Sequence, residues 1–158
     1  IHAEVAVEQR VARAVGLPYI ASLPHPGMPI AAAAEAGIPA VMLENGGQAQ
    51  WDRSAACGYA QRLVSALKAI GSLDGEPEKA KTHLLKTYIS VKSTQQGCWF
   101  PAANAGETLQ KGQKVGQLED IHGQLLQEYH AEESGVLLYI ISALAVQQHG
   151  SLFAIGVL

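Results

Sequence analysis

The sequence predicts an α/β segment followed by a small all-β domain. Three observations carry this. Residues 18–44 read as strand, helix, strand, with GLPYIAS and IPAVMLE on either side of AAAAEA. From about residue 85 the helical spacing of apolar residues gives way to short apolar stretches broken by Gly and polar turns. In that tail, Gly97, Gly112 and Val115 recur 38 residues later as Gly135, Gly150 and Phe153, the pattern of duplicated β-units that close on each other. The expected division is 1–78 for the α/β part and 79–158 for the β part.

Taken in order, Val5, Val11, Ala12 and Val15 suit one face of an opening helix, which Gly16 stops. GLPYIAS is a short strand, and LPHPGMP is a loop broken by Pro24, Pro26 and Gly27. Pro29 suits a first helical turn and Gly37 the position just past the end. IPAVMLE is a continuous apolar run of the kind found in a strand covered on both faces. With the strand before it, it is expected to form a right-handed parallel crossover. Asp52 can cap a helix whose apolar face is Ala56, Ala60, Leu63, Val64, Leu67 and Ile70, ended by Gly71. The polar SLDGEPEKAKT is a loop or boundary.

The 158 residues are 48% hydrophobic and 16% charged, a folded rather than disordered composition. A net charge of −3 gives no basic footprint for nucleic acid. No apolar run is long enough to span a bilayer, and Cys57 and Cys98 make neither a disulfide framework nor a metal cluster. No secretory signal pattern opens the chain, so the cytoplasm is the expected compartment. The chain enters a helical pattern at once from Ile1, which reads as the interior of a longer polypeptide, the alternative being a native start whose Met and leader were removed or not included.

The most informative stretch is IPAVMLENGG, residues 38–47, where an apolar run ends on Glu44 and then Asn45-Gly46-Gly47. In open α/β sheets ligands sit beyond the carboxyl ends of strands, and glycines there let the backbone approach a substrate closely. Glu44 is therefore the candidate catalytic carboxylate, weighed against a strand-end charge held by a helix dipole or an Arg. His25 is expected at the same edge, weighed against an ordinary loop histidine; Gly27 and Met28 could shape the same pocket. His130 and Glu133 have H-x-x-E spacing, but lie in the β-rich tail with no third ligand nearby, so a solvated turn is expected. His2-Ala3-Glu4 reads as surface helix.

GLPYI, AAAAEAGIPAVMLENGG and the helix to AIGSLDGE resemble the C-terminal part of the catalytic domain in the succinylglutamate desuccinylase/aspartoacylase family. The tail is similar to the β-domain appended in that family, itself like a biotinyl/lipoyl barrel-sandwich. The matching pattern runs through Gly97-x-aromatic-x-Pro101, Gly106-Glu107, Lys111-Gly112-Gln113, Gly116, Gly135-Val136-Leu137 and Gly150. The resemblance covers essentially the whole chain and implies a zinc-carboxypeptidase-like sheet domain followed by the barrel-sandwich domain.

It implies a zinc-dependent amidohydrolase that cleaves the amide of an N-acyl amino acid or similar small substrate. Glu44 would be general base on the zinc-bound water, and His25, Asn45, Gly46 and Gly47 would bind substrate. The family's zinc ligands lie upstream of the equivalent of Ile1, so zinc is expected for the full-length parent and no stoichiometric metal for this chain alone. The parent is thus expected to be an enzyme and the isolated chain inactive. The other reading is an inactive binding or assembly module. Carrier domains of the barrel type present a modified Lys on the turn between their halves; the turn taken as equivalent reads AEESGV, without Lys. In the family the β-domain partly covers the cleft, with Tyr129 and His130 the polar candidates to face substrate; Lys111 reads as a solvated charge. Self-association, or association with the missing N-terminal half, is expected because a lone apolar strand has open edges.

Overall fold

A computed structural model describes residues 2–22, 27–44, 46–47 and 50–158, with side chains from Glu8 onward. His25 and Asn45, two of the expected substrate-binding residues, lie outside the described residues, as do the side chains of His2 and Glu4. The chain forms two compact units, Ile1–Leu84 and Leu85–Leu158.

In the first unit the elements are α1 (His2–Val15), β1 (Tyr19–Ile20), α2 (Pro29–Glu35), α3 (Arg53–Ala69) and β2 (His83–Leu84). The helix ends follow the sequence signals. Gly16, Gly37 and Gly71 all take positive φ, near 70°, where a residue with a Cβ is strained. Pro29 opens α2, and Asp52 caps α3 by accepting a 2.6 Å hydrogen bond from Ala55 N. After α3, Ser72 N reaches back to Leu67 O at 2.9 Å, which satisfies a carbonyl the helix leaves free. α1 packs on α3. Arg62 Nη1 fastens the pair by donating to Val15 O at 3.1 Å and Gly16 O at 2.5 Å, a cation on the negative end of α1.

The sheet of this unit differs from expectation. Residues 38–44 form no strand; β1 pairs in parallel with β2, Tyr19 opposite His83 and Ile20 opposite Leu84. A strand exists only where another strand satisfies its amides. Here Ile38 N bonds Ala33 O, Ala40 N donates to Glu8 Oε1 at 3.3 Å, and Leu43 O accepts from Tyr59 Oη at 3.2 Å. The apolar run is thus tied to helices, and the parallel crossover over 18–44 is not formed within the described residues.

The second unit is all antiparallel β: β3 (Thr87–Lys92), β4 (Gly97–Pro101), β5 (Thr108–Leu109), β6 (Lys114–Glu119), β7 (Leu125–His130), β8 (Gly135–Ile140), β9 (Ala145–Val146) and β10 (Ser151–Val157). One sheet has the order β3-β10-β8-β5, the other β7-β6-β4-β9. The 38-residue repeat explains both orders. Shifting β3, β4, β5 and β6 by that offset lands on β7, β8, β9 and β10, to within a residue at the ends. The same operation exchanges the partners in one sheet for those in the other. Each sheet therefore holds two strands from each half.

The repeated residues are repeated for packing. Val115 and Phe153 are both fully buried, as are Trp99 and its equivalent Leu137. A Cβ on Gly97 would lie 2.6 Å from Glu119 O, and one on Gly135 would clash with Gly156 O, so both halves need a bare backbone where β4 and β8 begin. Trp99 stacks on Phe153 and meets Tyr129 edge-on, with ring centroids 6.3 Å and 5.5 Å apart. These rings centre one cluster that includes residues of both sheets, with Leu109, Leu118, Leu152 and Ile155 around them.

The duplication also relocates the turn between the halves. It is Asp120–Gln124, joining β6 to β7, not AEESGV, which joins β7 to β8. Period matching alone cannot say which gap separates the units; strand pairing does. The turn reads Asp-Ile-His-Gly-Gln and, like AEESGV, holds no lysine. Asp120 Oδ1 accepts from Gln124 N at 2.9 Å and His122 N at 2.8 Å.

Those bonds, the Gln124 amide foremost, hold the Asp120 carboxyl below its usual range. Glu128 is lowered chiefly by the hydrogen bond from Lys114 Nζ at 2.5 Å. A carboxyl whose folded pKa is depressed stabilises the fold above its unfolded value and stops doing so as pH falls through the folded one. The melting temperature of this unit is therefore expected to drop as pH is taken from about 5 to about 2. Glu128 is exposed, so its share should shrink in about 1 M salt. A melting temperature flat across that pH range would contradict this.

Candidate functional site

Glu44 stands at the end of the segment held between α1 and α3. Tyr59, near the middle of α3, binds the carbonyl of the preceding residue, Leu43, and Glu8 of α1 binds the amide of Ala40. Two helix side chains thus set the segment's path where no sheet does. The Glu44 side chain is exposed, and no hydrogen bond or ion pair engages it among the described residues. Among the described residues no arginine pairs with it.

Gly46 takes φ 76°, and a Cβ at Gly46 or Gly47 would meet nothing within 4 Å. Gly46 therefore suits its backbone sense, and no described residue crowds the position a Cβ would take at either glycine. Gly27 also takes positive φ, 84°, and Met28 is 36% exposed just ahead of α2.

The described residues do not assemble a metal centre. No group of three or more His, Cys, Asp or Glu comes together among them, and a zinc site of the hydrolytic kind takes three protein ligands. The H-x-x-E in the tail is spent elsewhere. His130 Nε2 lies 3.7 Å from Glu128, while Glu133 pairs with Lys111 Nζ at 2.8 Å. Tyr129 is a core residue, 5% exposed, its hydroxyl accepting from Thr94 N at 3.1 Å. LLQEYH has no apolar alternation that would have marked Tyr129 as buried; its burial follows from the strand's place in the sheet.

A separate cleft of about 490 Å³ lies between the C-terminal turns of α1 and α3 and the segment 75–80. Arg10, Arg13, Lys68 and Lys79 line it with Glu76 and Glu78. Neither Glu44 nor its glycines reach it. No helix among the described residues is long and apolar enough to cross a membrane.

No family model matches the sequence, and no curated protein does. Solved structures do match. The ectoine utilization protein EutE (DoeB) from Ruegeria pomeroyi, in its product-bound form, superposes with TM-score 0.87 at 22% identity, over 99% of this chain and 51% of that one. The succinylglutamate desuccinylase/aspartoacylase from Rhodobacter sphaeroides gives 0.82 at 19% identity, over 97% and 49%. An aspartoacylase family protein from Mesorhizobium loti gives 0.74 at 20%, over 99% and 49%. The chain thus has the fold of part of these proteins, a mixed α/β unit with antiparallel sheets, and spans about half their length.

Proposed function

We propose that this chain is the C-terminal portion of a hydrolase of the succinylglutamate desuccinylase/aspartoacylase kind, cleaving the amide of an N-acyl amino acid or similar small substrate. The observation that supports it is the likeness in fold over 97–99% of the chain to such proteins, joined to an unengaged Glu44 beside two open glycines.

Glu44 would act as general base, taking a proton from the attacking water and returning it to the leaving amine. A carboxylate free of internal partners is suited to both transfers. Gly46 and Gly47, with Asn45 and His25, would line the substrate's approach. Zinc is expected in the whole protein; no three-ligand group comes together among the described residues, and the ligands would come from sequence outside the 158 residues. The second unit, with its two interleaved sheets, would be the barrel-sandwich domain, divided from the first near residues 79–84. It would not act as a swinging-arm carrier, since neither candidate turn holds a lysine. The cytoplasm is the proposed compartment.

The second reading is a catalytically inactive binding or assembly module, favoured by the absence of a three-ligand group among the described residues. Elemental analysis with an amidase assay separates the two. The chain purified without chelator is expected to carry no stoichiometric zinc and to be inactive, and the full-length protein to hold about one zinc per chain and release amine from N-acyl amino acids. A full-length protein without zinc or amidase activity would favour the module.

A further inference from the structure

Helix α3 is packed the wrong way round for an isolated protein. At 100° per residue, Ala56, Ala60, Leu63, Val64, Leu67 and Ile70 fall within an arc of about 120°. That arc is solvent-facing, with Leu63, Val64, Leu67 and Ile70 exposed by 42%, 43%, 42% and 47%. The more buried positions are Gly58, Tyr59, Arg62, Ser65, Ala66, Lys68 and Ala69, small or polar for the most part. A surface helix ordinarily buries its apolar stripe and shows the polar one. Contiguous apolar surface of this kind marks a contact site.

Other features of the same unit point the same way. Ile38 and Met42, on the segment tied to α3 by Tyr59, are 59% and 44% exposed. β1 and β2 have two residues each, too little sheet to stand independently. The superposed proteins complete this fold with roughly as much chain again.

We propose that the apolar face of α3 is a docking surface for the α/β polypeptide that supplies the other half of this fold. A second copy of this chain is a poorer occupant. It would bring another apolar helix face, but among the described residues of this unit no strand longer than two residues for β1, β2 or the 38–44 segment to join. An α/β partner brings strands and an apolar sheet face together. The inference deepens the proposed function by naming a partner, and rests on that reading only for the partner's fold.

The test co-expresses this chain with the polypeptide encoded directly upstream of it, joined or as a separate chain, as wild type and as L63E/L67E. Mass is read by light scattering and helix content by circular dichroism. The wild type is expected to form a 1:1 assembly with the upstream polypeptide. L63E/L67E alone should keep its helix signal, because both positions are exposed, and should lose the assembly at least tenfold in affinity. When the two parts are joined in one polypeptide, the same pair should lower its melting temperature by 10 °C or more. A stable 16.7 kDa monomer indifferent to the upstream polypeptide overturns the proposal. So does a homodimer held by this face, an unaffected double variant, or an upstream region that encodes no α/β sequence. Assembly without amidase activity would leave this inference standing and sink the functional one. Amidase activity in the full-length protein, with L63E/L67E without effect, would do the reverse.

Discussion

Glu44→Gln in the full-length protein is expected to lower kcat by about 10²–10⁴-fold, the usual contribution of a positioned proton-transfer group. KM should change little, because the substitution preserves shape and removes only the ability to accept a proton. Bound zinc should be unchanged. The structure makes this a clean experiment: the Glu44 side chain is exposed and makes no contact with a polar partner among the described residues, so the fold has nothing to lose. A melting temperature within a degree or two of wild type should accompany the loss in rate. If zinc leaves together with activity, Glu44 is a ligand and not the base. If kcat is unaffected, the proposed role is wrong.

Trp99→Ala is expected to destabilise the β unit by about 3–5 kcal/mol, the range for truncating a large buried aromatic. The ring is 1% exposed, lies between Phe153 and Tyr129, and is approached so closely by β6 that a Cβ at Gly116 would sit 2.6 Å from its Cζ2. No neighbouring strand can collapse into the vacancy without breaking its ladder. Trp99→Phe separates shape from polarity. The indole Nε1 is buried without a hydrogen-bond partner among the described residues, so removing that donor offsets part of the lost contact, and a cost below about 1.5 kcal/mol is expected. Chemical denaturation of the two variants checks this. Equal losses for Ala and Phe would mean that the ring's size is not what the core depends on.

The local signals in the sequence were sufficient wherever the physics is local. Asp52, Gly16, Gly37 and Gly71 marked helix ends because a cap or a positive φ depends on the residue and its own turn. The 38-residue echo disclosed a duplicated β domain because the same packing constraints recur at Gly97 and Gly135, and at Val115 and Phe153. The singling out of Glu44 also came from the sequence, from a charge ending an apolar run before two glycines.

Tertiary structure alone decided what pairs with what. IPAVMLE has the composition of a buried strand, yet a strand is a relation between two segments, and among the described residues none pairs with it. Its amides and carbonyls go instead to Glu8, Ala33 and Tyr59. The partner of β1 lies more than sixty residues away at β2, a separation no period or cap reveals. The apolar stripe of α3 could be read from spacing, but not that it faces outward; that follows from α1 occupying the opposite, small-residue face. The turn between the β halves was misplaced in the sequence for the same reason: the repeat length is carried by the residues, but its starting point is set by which strands share a sheet.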